Sequence, residues 1–541
     1  MKKVANIRLL TLVMLVVACL SACIRDVAEE CGAGSVKPGN ADTYVTFNLQ
    51  LASPSTRGIT SEGQDGDEFE QGFDKEDQVD DIAFFLFNMK DWNVDGSTPC
   101  RFKGHLDPDN CEEWKEANDG LNIKFRLTGY QPDEDDRVIV LANTGAHFDN
   151  IENLSQLRDA MGYQTWHKGN SLPECDHFVL TSSYNDPDNG KIVFLGKAGS
   201  REDPYVSGVK LQRMAARIDF QFDPVKNVSG SAPYSSFDYK VNRVAGDESS
   251  ELLANMHILN VIPFNVKQIG SFILRHTTKR GDVQGNGSML YGGHEYRDNN
   301  GVPVNCVIEP HTLSKGVTGA ERLDNWLDNW FGNTRASKVF ASPSAYLTGT
   351  DVSTFSQNIR KMSGDTFVTV GYANENTQPQ KCFSENYVTG LLLRAVYVPQ
   401  KVYSDAAASV LSTEDFSTGR TFWRFVPSHS TAMESDCAYF DNEAAANAHK
   451  ASVAGGGVVT CYADGVCYYK VWIRHAVAPS LSDITDYPMK YGIVRNNVYR
   501  VKVEYVAGPG TPLPGDPDTG NASMRIYVKM WNKRVQPSIR L

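Results

Sequence analysis

Near both ends of this chain apolar and polar residues alternate one by one, a pattern that suits a strand with one buried face. Tyr44–Leu51 sets Val45, Phe47, Leu49 and Leu51 on one side and Thr46, Asn48 and Gln50 on the other. Met524–Trp531 sets Met524, Ile526, Val528 and Met530 against Arg525, Tyr527 and Lys529. The first strand runs into Ser53-Pro54-Ser55-Thr56-Arg57-Gly58, an exposed turn-like segment with the only arginine between Arg25 and Arg101. An acidic run follows: Asp65, Asp67, Glu68, Glu70, Asp74, Glu76 and Asp77. It reads as solvated rather than as a metal site. The second strand is preceded by Gly508–Asp518, a Gly/Pro-rich linker that cannot pair in a sheet and that its prolines keep extended. A strand parted in this way from its local partner is placed to pair elsewhere, including with another molecule.

Between the two ends the chain reads as mainly β, with short alternating segments separated by turn residues. Ile82–Phe87 is almost continuously apolar and should be a central strand. Further strands are expected at Ile123–Leu127, Arg137–Ala142, His177–Thr181 and Gly208–Leu211, with a short helix over Ile151–Met161. A fresh start at Gln212–Phe222 sets a domain boundary. Beyond it, strands are expected near Met256–Ile262, Thr366–Tyr372, Leu391–Val398, Tyr468–Trp472 and Asn497–Val506. One amphipathic helix is expected at Glu321–Phe331. The implied organisation is 1–22 signal, 23–57 propeptide, 58–212 first domain, 213–507 second domain, and 508–541 linker and last strand.

The amino terminus is basic (Lys2, Lys3, Arg8), then apolar from Leu9 to Leu20, then Ser21-Ala22-Cys23. The apolar run is too short to span a bilayer, and Leu20-Ser21-Ala22-Cys23 matches a lipoprotein processing site. The expectation is cleavage before Cys23 and acylation of its sulfur, giving a membrane anchor through lipid. Of the 11 cysteines, nine remain once Cys19 leaves and Cys23 is lipidated. No C-x2-C spacing suggests zinc. Cys100 with Cys111, and Cys461 with Cys467, are candidate hairpin disulfides, the alternative being buried thiols. A net charge of −12 implies no nucleic-acid partner. The histidines are scattered, and no HExxH, GxSxG or phosphate-loop motif occurs. No catalytic residue, cofactor or metal ligand is therefore assigned. Asp107-Pro108-Asp109-Asn110 reads as a turn.

These landmarks resemble the fimbrillins of Bacteroidales bacteria, especially the major subunit of the short fimbriae. The most specific match is Met489-Lys490-Tyr491-Gly492-Ile493-Val494-Arg495-Asn496-Asn497-Val498-Tyr499-Arg500-Val501, with the linker and last strand after it. Val138–Asn143, Phe178–Ser183 and Arg213-Met214-Ala215-Ala216-Arg217 add to it. The resemblance implies two transthyretin-like β-sandwich domains in tandem and a lipidated precursor. It also implies a cut after an arginine that removes the first strand, and polymerisation by donor-strand exchange. Arg57, followed by Gly58, stands where that cut would fall, and the cut would also discard Cys31. Met524, Ile526, Val528 and Met530 would be the donor residues. The implied partners are copies of the chain, accessory anchor and tip proteins, an arginine-specific extracellular protease, and receptors on host or bacterial surfaces. The implied location is an outer-membrane lipoprotein precursor and then a cell-surface fimbrium.

Removing Val45, Phe47, Leu49 and Leu51 would expose a groove, at about 1.5–3 kcal/mol per buried side chain. The sum is comparable with the ~5–15 kcal/mol that holds a domain folded, so an open groove should recruit another alternating strand. Two other functions stand beside this one: a monomeric glycan-binding surface lipoprotein, and an anchor or tip component of the same system.

Overall fold

In a computed structural model, the structure describes most of residues 42–222, 237–276, 360–475 and 491–537, with breaks, and little outside them. The expected helix at 321–331 lies outside the described residues, as do Cys23, Arg57 and Gly58.

The protein is mainly β. Its first sheet uses β1 (Asp42–Leu51), β2 (Ile82–Asn88), β3 (Cys100–Leu106), β4 (Glu113–Ala117), β5 (Gly120–Thr128), β6 (Asp136–Ala142), β7 (Leu180–Ser182) and β8 (Tyr205–Arg213). The order is β3-β2-β6-β7-β8-β1-β5-β4, with Ala28–Glu30 added beside β3. That small strand falls in a stretch whose composition reads as a tether. Phe47 on β1 and Phe84 on β2 lie four strands apart in this order, roughly 19 Å in a flat sheet. Their ring centroids are 5.6 Å apart, so the sheet folds over and packs its two halves face to face, as a sandwich. The apolar run of β2 follows from burial on both faces. Ile82, Phe84 and Leu86 face the sandwich core. Ala83, Phe85 and Phe87 lie under α1 (Leu154–Asp159), among Leu154, Leu157 and Phe272. Asn153 caps this helix, its side chain accepting from the Gln156 N–H.

The second sheet begins one residue later. Only Met214 separates β8 from β9 (Ala215–Gln221), so the chain changes sheet without a linker. The order continues β12 (Asp365–Asn374), β9, β18 (Asn497–Val506), β10 (Asp238–Asn242), β11 (Leu252–Phe264), β13 (Gly390–Pro399) and β17 (Val466–Trp472). β9 and β10 share one edge of β18, β10 meeting it only at Val506, and β19 (Ala522–Trp531) runs along the opposite edge. Between β13 and β17 the chain makes a small extra layer. There β14 (Phe422–Pro427), β15 (Ala438–Phe440) and β16 (Gly457–Tyr462) pair in one sheet, with α2 (Glu443–Ser452) packed on Phe425 and Phe440. No helix among the described residues is long and apolar enough to cross a membrane.

Candidate functional site

The first alternating strand is built into the middle of its sheet. β1 runs parallel to β8, from Val45 opposite Tyr205 to Leu51 opposite Leu211. On its other edge it runs antiparallel to β5, from Asp42 opposite Thr128 to Leu49 opposite Leu121. Val45, Phe47 and Leu49 are at most 1 % exposed, and the Phe47 ring meets Phe125 edge-on at 4.8 Å. Asp42 closes the end of the strand with Arg126, at 3.1 Å, and accepts from the Thr128 hydroxyl. At the far end Gly120 is required, because a Cβ there would fall 1.9 Å from the Leu49 carbonyl oxygen. The strand thus fills a slot with a hydrogen-bonding wall on each side and a wet face made by half-buried Thr46 and Asn48. Lifting it out would leave β8 and β5 with facing unpaired edges.

The last strand occupies a different kind of position. β19 pairs antiparallel with β18 from Met530 opposite Asn497 to Ala522 opposite Val506. Its other edge meets only a two-residue ladder, Phe69–Glu70 against Met530–Trp531, among the described residues. Met524, Ile526, Val528 and Met530 therefore lie on an edge strand of their own domain. Among the described residues β19 does not pair with β1 of the same chain.

The segments that carry the family resemblance meet where the two sheets join. Four arginines, Arg213, Arg217, Arg495 and Arg500, are among the largest fully buried side chains. Arg217 and Arg500 share Asp219, at 3.1 and 3.2 Å, and Thr369 donates its hydroxyl to the same carboxylate at 2.9 Å. The Arg500 guanidinium also stacks 3.5 Å over the Phe367 ring. Arg495 ties the sheets together. It donates to Glu375 at 2.7 Å, to the Ser271 and Phe272 carbonyls, and to the Thr181 hydroxyl on β7. Arg213 donates to the Asn496 side chain and to the Glu76 carbonyl, and Asn143 spans Asp80, Gln78 and Phe178. Asn496 sits at φ +60°, where asparagine is tolerated, and its N–H reaches the Ala215 carbonyl.

Three readings of the sequence are corrected here. The linker does pair: Thr511 exchanges two backbone hydrogen bonds with Tyr468 of β17, and the Tyr469 and Tyr462 hydroxyls donate to the Gly508 and Gly510 carbonyls, because its glycines let the backbone approach the sheet. Glu76 is not solvated: it is 2 % exposed, with its carboxylate held by Arg217 at 3.0 Å and by the Tyr372 hydroxyl at 2.6 Å. An acidic run hides such a residue, because its cationic partner lies far along the chain. The disulfides Cys100–Cys111 and Cys461–Cys467 are not formed, and all four cysteines are thiols. Cys100 begins β3 while Cys111 lies beyond its far end, and a seven-residue strand spans about 20 Å. Cys461 is exposed in the extra layer opposite Trp423, while Cys467 is buried in the second sheet opposite Ala395. Burial pushes the Cys467 thiol up to about 12. The turn at Asp107–Asn110 is present, its Asp107 carboxylate accepting from the Asp109 and Asn110 N–H groups.

One buried group predicts a pH dependence. His475 Nδ1 and the Tyr499 hydroxyl share a hydrogen bond of 2.8 Å, and complete burial pushes the His475 pKa from 6.5 down to about 3. The folded state keeps it neutral, whereas the unfolded chain takes up a proton below its ordinary pKa. Its contribution is full above about pH 6.5 and is lost toward pH 3, at about 1.4 kcal/mol per pH unit. The urea midpoint should fall across that window, and His475→Asn should flatten the slope.

Residues 460–536 match the family described as major fimbrial subunit protein type IV, fimbrillin, C-terminal. They cover the end of β16, β17, β18, the linker and β19. No curated protein sequence matches the chain. Among solved structures, the tip fimbrial protein Mfa3 of Porphyromonas gingivalis, truncated at its C-terminus, is 11% identical. That match covers 91% of this chain and 100% of the other at a TM-score of 0.34. A fimbrilin, FimA, of Porphyromonas gingivalis is 12% identical over 90% of this chain and 97% of its own, at a TM-score of 0.34. A fimbrial assembly protein of Parabacteroides distasonis is 9% identical over 86% and 91%, at 0.28.

Proposed function

We propose, from the premise that residues 460–536 carry the C-terminal part of a fimbrillin, that this protein is a structural subunit of a surface fimbrium. In this reading it is exported as a lipoprotein acylated at Cys23, cut after Arg57 by an arginine-specific protease, and polymerised by donating β19 to the next subunit in the service of adhesion. The observation that carries it is the contrast between the two alternating strands. β1 fills a slot walled on both sides by β8 and β5. β19 has one full ladder, along β18. Moving β19 into a neighbour's vacated slot exchanges one full ladder for two, so the exchange is favourable once the slot is open. A strand already inside the slot blocks it, which makes removal of β1 the step that permits assembly.

The experiment is amino-terminal sequencing of protein from sheared fibres. It should begin at Gly58, and Arg57→Ala should accumulate as unassembled precursor. Fibres whose subunits still carry residues 23–51 would contradict the proposal. They would fit an anchor-type component, which keeps its first strand.

A further inference from the structure

The tail is gripped a second time, by the segment that follows the proposed cut. Phe69–Glu70 runs parallel to Met530–Trp531, and Gln78–Val79 runs parallel to Gln536–Pro537. Between these two ladders lies Glu76, whose buried carboxylate is fixed by Arg217 and Tyr372 and whose carbonyl is fixed by Arg213. The chain is therefore pinned to the second domain at Glu76, and it reaches the tail at Phe69–Glu70 before that pin and at Gln78–Val79 after it. Gln536–Pro537 also lies beside β4 and β5, next to the wall of the β1 slot.

We propose that Phe69–Glu70 acts as a keeper on Met530–Trp531 in the uncut chain, so that one cut frees both β1 and the outer edge of the tail strand. The inference rests on the donor-strand reading above. A two-residue ladder is weak by itself and depends on its flanks being fixed. Before the cut the chain ahead of Phe69 leads back through residues 52–68 to β1, locked between β8 and β5, and the chain after Glu70 leads on to Glu76. After the cut Phe69–Glu70 lies on an arm with a free amino terminus, and chain ends fray. Loss of the keeper frees the outer edge of β19 at Met530–Trp531, where peeling from β18 can begin.

The test is amide hydrogen exchange on three forms of the full chain: the uncut protein, the same protein cut by an arginine-specific protease, and the uncut double variant Phe69→Pro/Glu70→Pro. The prolines remove both amide hydrogens from the short ladder and leave the tail sequence intact. Amides 529–531 should exchange about tenfold faster in both altered forms, the factor that one lost hydrogen bond of ordinary strength gives. Amides of β2 and β9 should stay protected in all three, which reports that the variant is folded. Unchanged exchange at 529–531 in the variant overturns the keeper. So does acceleration in the cut form alone, because release would then follow from the loss of β1 and not from Phe69–Glu70. Fibre yield scored in parallel separates the two ideas. A failed keeper leaves tail-dependent assembly standing, whereas fibres that survive deletion of the tail refute the donor reading at any exchange rate.

Discussion

Asp219→Ala should destabilise the second domain by about 3–5 kcal/mol, because it strands two buried guanidinium groups. Asp219 is fully buried and receives Arg217, Arg500 and the Thr369 hydroxyl at once. Water cannot reach the freed arginines to replace the carboxylate, and nearby Glu76 is already held by Arg217 and Tyr372. Urea unfolding should show the loss as a lower midpoint with an unchanged slope. Asp203→Ala is the control. Asp203 pairs with Lys197 at 3.0 Å on the surface, and both side chains are more than a third exposed. Exposed pairs contribute about 0–1 kcal/mol, so this change should be close to neutral.

Deleting Ser523–Leu541 should leave a subunit that folds and is cut but adds nothing to a growing fibre. β18 keeps one of its two walls when the tail is removed. β18 is walled on its other side by β9, in parallel register from Arg217 opposite Val498 to Gln221 opposite Lys502. Val498, Tyr499 and Val501 are fully buried. Val528→Asp should be nearly as severe, because an unpaired carboxylate in the neighbour's slot costs about 3 kcal/mol or more, over a hundredfold in the pairing constant. Lys529→Ala, on the other side of the alternation, should assemble like the wild type. Electron microscopy of sheared material with a quantitative blot reads all three. A deletion that still yields fibres would mean that the tail is only an edge strand.

How far the sequence spoke depended on the range of the interaction. Period-two patterning is local, so β1, β5, β6, β18 and β19 are found close to where alternation places them. The continuous apolar run of β2 marks a strand buried on both faces. Partner choice is not local. Nothing near Val45 says that its parallel neighbour is Tyr205, and nothing near Glu76 points to Arg217. The resemblance in Arg213–Arg217 and Arg495–Arg500 was visible as motif, but its reason, a buried ion network joining two sheets, belongs to the assembled fold. Cysteine spacing misled for the same cause: residues close in sequence lie at opposite ends of a strand or in different sheets. The extra layer of β14, β15, β16 and α2 leaves no mark in the sequence, because its strands are short and carry no clean alternation.

The central claim is that β19 of one subunit enters the slot of another. It is tested most directly by pairing a cysteine at Val528 with one at Ile123, the β5 residue opposite Phe47 in the slot wall. Companion pairs at Leu121 and Phe125 cover the neighbouring registers. Oxidised fibres should give ladders of covalently joined subunits on denaturing gels, absent from each single variant. Cross-links confined to single chains would contradict the account.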